Sequence, residues 1–306
     1  MKAAVYEKYG PPEVVEIKDV EKPIPRDNEC LVEVHATTVS RGDSRMRSLD
    51  VPGNALTRIL ARLFLGIRGP RRKILGMQLA GEVEVVGKDV TLFKPGDQVF
   101  ASTYSSGFGG HAEYKCIPED TVIAIKPNNM SFEEAATVPT PGIGALNVLR
   151  RAKIQDGHKV LVYGASGSVG TFALQIAKAF EAQVTGVCST KNLDWVKELG
   201  ADEVIDYTKE NFVDTGVRYD VVFDAQGILS SSDTKEALKE NGVFLSITEQ
   251  KPEKAEELVF LKDLIEDGKV KSVIDRTYPL EEIVEAYRYV DTGHKKGNVV
   301  ITLDNH

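Results

Sequence analysis

The chain has 306 residues, room for about two domains of ~150 residues each, and 42% of them are hydrophobic, enough for a sizeable core. Its formal net charge of −8 argues against a general nucleic-acid binder, which needs basic surface for phosphate contacts. No window approaches the ~20 uninterrupted apolar residues of an integral membrane span. The start "MKAAVYEKYG" lacks the apolar core of a signal peptide, and Cys30, Cys116 and Cys188 are widely spaced and odd in number, so the expected location is a reducing cytoplasm.

Residues 1–128 show short strands punctuated by Gly and Pro turns, the pattern of a β-rich domain. Within it the stretch 45–73 is strongly basic, with Arg45, Arg47, Arg58, Arg62, Arg68, Arg71, Arg72 and Lys73 against Asp50 alone. Leu56, Ile59, Leu60, Leu63 and Phe64 fall at helical spacing there, which predicts a helix packed by its apolar face with a solvated basic side. A substrate lid or a contact with an anionic surface are the functional alternatives. Residues near 129–155 read as helical.

"KVLVY" (159–163) reads as a buried strand between Asp156–Gly157 and Gly164, and "TFALQIAKAF" after Gly170 reads as a mostly buried helix. Between them stands "GASGSVG": Gly164, Ala165, Ser166, Gly167, Ser168, Val169 and Gly170. Strand, glycine turn and helix in this order form the context of a dinucleotide fingerprint. Missing Cβ atoms allow a tight turn and close approach of a phosphate, and the helix starting near Ser168 offers free N–H groups and a positive dipole end. A P-loop is excluded, because no Lys precedes Thr171. Further units follow: strand "QVTGVCS", helix "NLDWVKELG" stopped at Gly200, and strands "DEVIDY", "YDVVFDA" and "GVFLSIT". Alternating β and α units predict an α/β fold with a doubly wound, Rossmann-type parallel sheet, whose ligands sit outside the carboxyl ends of the strands.

An NAD-preferring site usually ends its second strand with an acid on the ribose hydroxyl. Here that strand ends "CSTKN", and Ser189, Thr190, Lys191 and Asn192 suit a 2′-phosphate instead, which points to NADP(H). The same residues would equally cap a helix. A short-chain reductase is excluded, since no Tyr has a Lys four positions later. Zinc ligation is not expected either: no cysteines are near neighbours, and no histidines stand at ligand spacing. The lone histidines read as surface or satisfied structural residues.

Motifs in order along almost the whole chain carry a resemblance. They include "MKAAVYEKYGPPEVVEI", "KPIPRDNECLVEVHATTVSRGDSRMR", "LGMQLAGEVEVVGKDVTLFKPGDQVF", "GGHAEY", "SFEEAATVPTPGIGAL", "GASGSVG", "LGADEVIDY" and "VIDRTYPLEEIVEAYRYVDTGHKKGNVVI". The chain resembles the zinc-independent branch of the medium-chain dehydrogenase/reductase superfamily, the quinone oxidoreductase and alkenal/enone reductase group. The resemblance implies a GroES-like catalytic domain over 1–128, a Rossmann cofactor domain over 129–269 and a return to the first domain over 270–306. Zinc-dependent relatives carry a Cys ligand where this chain has Ser40 and a His ligand where it has Met77, and their four-cysteine lobe after "PGDQVF" is absent. Asp43 keeps the family's acidic position, whereas the usual Asn is Ser40. In "PTPGIGA" the usual Thr beside the nicotinamide is Gly144, and Thr140 is the substitute.

Ser40, Asp43 and Thr140 are thus the candidate catalytic residues. Tyr207 and Lys191 match adenosine-phosphate contacts, and Ala225, Ser246 and Asn298 complete the candidate cofactor set with Gly144. A strand and loop that relatives have after "GVFLSIT", used in their dimers, are missing, which leaves a homodimer open. The implied function is NADPH-dependent hydride transfer to an activated C=C bond or a quinone, the partner being a small-molecule electrophile. A zinc-free alcohol or carbonyl oxidoreductase and a non-catalytic NADPH-binding sensor are the alternatives.

Overall fold

The computed structural model describes residues 1–50, 59–60, 62–63, 65–249 and 251–303. The chain divides into two compact units, Met1–Pro139 with Ile274–His306, and Thr140–Val273. These units divide at 139/140 and 273/274, each C-terminal to the boundaries expected at 128/129 and 269/270. The first shift has a packing cause: the short helix Phe132–Ala135 lies on strands of the first unit.

In the first unit β1 (Lys2–Tyr6) pairs antiparallel with β2 (Val15–Asp19). Strand β3 (Glu29–Thr38) is the long spine of a larger sheet, and helix α1 (Arg41–Ser48) follows it directly. Then come β4 (Gln78–Val86), β5 (Gln98–Ser102), β6 (Tyr114–Pro118), β7 (Ile123–Ile125) and α2 (Phe132–Ala135). The alternation of "LVEVHA" in β3 puts Val32 and Val34 into the core, as the period of two requires.

The second unit opens with α3 (Pro139–Arg151) and β8 (Lys159–Tyr163), followed by α4 (Ser168–Ala179), β9 (Gln183–Cys188), α5 (Leu193–Glu198) and β10 (Glu203–Asp206). It continues through β11 (Tyr219–Asp224), α6 (Ser231–Thr234), β12 (Leu238–Ser246) and α7 (Ala255–Glu266). All pairings are parallel in the order β10-β9-β8-β11-β12. This is the doubly wound sheet, with its topological switch between β8 and β11. Strand β12 begins earlier than "GVFLSIT" suggests. Tyr219 pairs with Leu238, and the register then shifts so that Val221 meets Val243. The polar residues Lys239, Glu240 and Asn241 fill that irregular stretch exposed, so their composition does not read as strand.

The last segment supplies β13 (Ile274–Pro279), α8 (Ile283–Asp291) and β14 (Asn298–Thr302). Strand β14 pairs antiparallel with β3 and closes the first unit's sheet in the order β13-β14-β3-β4-β5-β7, with β6 also on β3. Ile283, Tyr287, Val299 and Ile301 share one core with Val32, Leu79, Val99 and Ile117. The first unit is therefore built from both ends of the chain.

The basic stretch departs from its expected packing. The described residues between 59 and 65 are helical, yet Ile59, Leu60 and Leu63 are 58%, 55% and 47% exposed. Leu56 and Phe64 lie outside the described residues. The anchoring contacts after Arg62 are polar instead: Arg62 Nη2 donates to Ile67 O at 3.1 Å, and Tyr9 Oη donates to Gly66 O at 3.1 Å.

Candidate active site

Most of the candidate cofactor residues stand at the carboxyl edge of the parallel sheet. Gly164 follows β8, Ser189 follows β9, Tyr207 follows β10, Ala225 follows β11, and Ser246 ends β12. The chain turns at Gly164 with φ +79°, and Gly167 becomes the N-cap of α4 without a side-chain cap. A Cβ at Gly170 would lie 2.1 Å from Gly164 O, so this glycine is demanded by the turn itself. A Cβ at Gly167 would meet only Gln226 Nε2 at 3.2 Å and Gly164 O at 3.5 Å. The uncapped helix start is thus approachable over Gly167, as a pyrophosphate needs. The residues present fit a dinucleotide.

Asn192 is buried and ties this turn to the end of β9. Its Nδ2 donates to Ser166 Oγ at 3.3 Å and to Ser189 Oγ at 3.0 Å, while Trp195 Nε1 donates to its Oδ1 at 3.0 Å. Both serine oxygens accept, which leaves both hydroxyl protons to donate outward. Lys191 is exposed and has no acidic partner among the described residues. Thr190 behaves differently: its Oγ1 donates to Asp206 Oδ2 at 2.5 Å. Tyr207 is 55% exposed beside Tyr163, ring centroids 6.4 Å apart. Ser246 Oγ accepts from Thr248 N and Oγ1. Thr140, half-buried, and Gly144, buried, lie one turn apart on α3.

Three residues of this edge are absent from the sequence reading. Asp206 ends β10 with its carboxyl held down to about 2, first by the Thr190 hydroxyl and then by Thr208 and Lys209. Asp224 is fully buried and accepts the N–H groups of Gln226, Gly227, Ile228 and Leu229 at 2.7–3.0 Å. The signal for it was legible: an Asp at a strand end before a Gly-containing turn commonly binds the following backbone. Gln226 lies over the glycine turn, and no local pattern announces it.

In the first unit Ser40 and Asp43 come together as the N-terminal capping box of α1. Ser40 Oγ accepts from Asp43 N at 3.1 Å and donates to Asp43 Oδ2 at 2.5 Å, and Ser40 N donates to the same Oδ2 at 2.9 Å. The other oxygen, Oδ1, accepts Gly76 N–H at 3.0 Å. Asp43 is fully buried with both oxygens engaged, and it holds the start of α1 to the Gly76 backbone. Ser40 can donate to a ligand only by releasing Asp43. Met77 Sδ stands 3.7 Å from Ser40 Oγ, in space left by Gly42, where a Cβ would lie 2.6 Å from Met77 Cε.

His111 sits behind this box. Its Nε2 donates to Thr38 O at 2.9 Å, and its Nδ1 accepts from Tyr287 Oη at 3.4 Å. Burial pushes its pKa down against the pull of Asp43, so the imidazole is neutral, a satisfied structural group as the sequence suggested. Asn298 begins β14, buried in the same unit.

Comparison with known proteins agrees with this architecture. A family model described as "Alcohol dehydrogenase GroES-like domain" matches residues 26–127, and one described as "Zinc-binding dehydrogenase" matches 199–257 and 248–301. The chain is 33% identical to a 2-methylene-furan-3-one reductase of Solanum lycopersicum, over 98% of this chain and 79% of that protein. It is 32% identical, with the same coverage, to a chloroplastic NADPH-dependent alkenal/one oxidoreductase of Arabidopsis thaliana. The solved quinone oxidoreductase of Coxiella burnetii superposes with a TM-score of 0.84 at 29% identity, covering 99% of both chains. The zinc in the family description does not fit the donors found here. Protein zinc takes thiolate, imidazole or carboxylate, whereas Ser40 offers a hydroxyl, Met77 a thioether, and the nearby Asp43 and His111 are fully engaged. Sequence motifs, two-unit architecture and relatives agree: the chain belongs to the medium-chain dehydrogenase/reductase superfamily, in its quinone oxidoreductase and alkenal/enone reductase group.

Proposed function

We propose that the chain reduces an electron-poor C=C bond of an enone or enal, or a quinone, with NADPH as reductant. The observation that carries this reading is the donor set at Ser40 and Met77. Reducing an isolated carbonyl puts charge directly on its oxygen, which zinc relatives stabilise with the metal. A hydroxyl bonded to Asp43 and a thioether cannot recruit that metal. In a conjugated acceptor the charge spreads as an enolate, which modest donors stabilise. The names of the relatives in tomato and Arabidopsis support the same reading.

When bound, NADPH supplies the hydride. The glycine turn and the N-terminus of α4 would hold its pyrophosphate, Ser189 and Lys191 the 2′-phosphate, and Tyr207 the adenosine end. Thr140 is the hydroxyl that donates to the substrate oxygen, Ser40 and Asp43 fix the start of α1, and solvent delivers the final proton. The test is a simple enone with NADPH deuterated at the transferable position. The saturated ketone should carry deuterium at its β-carbon. An allylic alcohol deuterated at the carbinol carbon, or no turnover with any enone or quinone, overturns the proposal.

A further inference from the structure

The first unit holds a cavity of about 730 Å³ that none of Ser40, Asp43 and Met77 lines. Arg26, Arg71, Arg72 and Lys115 line it, and among the described residues Glu29 is the only acid on its wall. That carboxylate is already bonded to Arg26 N–H at 2.9 Å. None of the four cations forms an ion pair among the described residues. Their neighbours do: Lys22 pairs with Glu84, Lys73 with Glu7 and Lys88 with Asp27, at 2.6–3.4 Å. On a chain of net charge −8, an unpaired cationic wall stands out.

Two of the cations are held in place by the turn after β5. Lys115 Nζ donates to Ser106 O at 3.1 Å, and its stem runs over Gly109. The Arg72 guanidinium lies over Gly107, where a Cβ would come within 3.1 Å of Cζ. Burial pushes the Lys115 pKa down, and Arg72 adds to the push. Two like charges thus stand at the same turn, Lys115 half-buried and Arg72 exposed, an arrangement that an arriving anion relieves. Beside Ser105 and Ser106 the wall carries apolar side chains, among them Leu65, Leu75 and Phe108.

We propose that this cavity binds an amphiphilic small-molecule anion, with a phosphate or carboxylate head on Arg26, Arg71, Arg72 and Lys115 and an apolar chain on Leu75 and Phe108. The site also gives a use to Arg71 and Arg72, the end of the basic stretch that the oxidoreductase reading leaves idle.

The experiment is calorimetric titration of the full chain with octyl phosphate, octanoate, octanol and inorganic phosphate, with and without saturating NADPH. Octyl phosphate or octanoate should bind one per chain in either condition, and the tighter of the two identifies the head. Octanol and inorganic phosphate, each carrying half of the chemistry, should bind far more weakly. Arg72→Gln and Arg26→Gln, both exposed, should each weaken binding about tenfold, the loss of one charge-assisted hydrogen bond. Lys73→Gln should leave binding unchanged, and melting curves confirm that all variants fold. Binding of neither anion, octanol binding as well as octyl phosphate, or both Arg variants binding as tightly as the parent chain overturns the proposal. Displacement by NADPH does so too, since it would place the anion in the cofactor site. Because the readout is binding, its failure is separate from any failure to turn over enones.

Discussion

Lys191 and Ser40 show how much of a side chain's role depends on what it already touches. Lys191 follows β9, exposed and without an acidic partner among the described residues, so its ammonium group is open to a 2′-phosphate. A hydrogen bond to a charged group contributes about 1.5–3 kcal/mol, and solvent screening at an exposed site favours the lower end. Lys191→Ala should weaken NADPH binding roughly tenfold and leave NADH binding nearly unchanged, as read by fluorescence titration. An equal loss for both cofactors would remove the 2′-phosphate contact from the account. Ser40 is the opposite case, because its hydroxyl already serves the capping box with Asp43. Ser40→Ala should therefore cost about 1 kcal/mol of stability, the usual worth of an N-cap, and lower kcat/KM less than Thr140→Val does. The reverse order in steady-state kinetics would make Ser40 the donor.

At the scale of elements, the carboxyl edge of the sheet is a set of turns, each with its own brace. Gly164 and Gly170 brace the turn after β8 by lacking side chains, whereas Asp224 braces the turn after β11 by accepting four N–H groups. Asp224→Ala would remove the shared acceptor of four part-buried N–H groups, and a hydrogen bond to a charged group contributes about 1.5–3 kcal/mol. Urea unfolding should show a loss of at least about 3 kcal/mol, and a loss under about 1 kcal/mol would mean that the turn re-forms on other acceptors. The contrast also explains what was legible. Gly164, Gly167 and Gly170 announce themselves by spacing, and the parallel order follows from strands separated by helices. Asp206 and Gln226 act across the sheet edge on residues 16 and more positions away, which no local pattern encodes. The helical spacing of Ile59, Leu60 and Leu63 was genuine, but spacing alone does not say whether a face is covered.

For the molecule as a whole, the first unit is closed by residues from opposite ends of the sequence, and that closure has a charge-sensitive centre. Arg47 Nη2 meets Asp291 Oδ2 at 2.7 Å, its guanidinium lies 4.8 Å from the centre of the Tyr287 ring, and Tyr287 Oη reaches His111 Nδ1. His111 is fully enclosed among Tyr287, Thr38 and Asp43. Burial lowers its pKa below the ordinary 6.5, and the attraction of Asp43 offsets this only in part. The sign of the linkage follows. Between the lowered folded value and 6.5, the unfolded chain binds the proton and the folded chain does not, so stability rises with pH. The contribution is fully present above 6.5 and is lost as pH falls toward the folded value. Protonation would also turn Nδ1 from an acceptor into a donor, so the Tyr287 hydroxyl would have to turn and accept at this contact between the two ends of the chain. The melting temperature should fall as pH drops from 7.5 to 5.5. In His111→Gln, which keeps an amide donor for Thr38 O but cannot titrate, the starting stability should be lower and the fall over that window shallower. A variant whose melting temperature falls as steeply as that of the parent chain would show that the pH dependence originates elsewhere in the molecule.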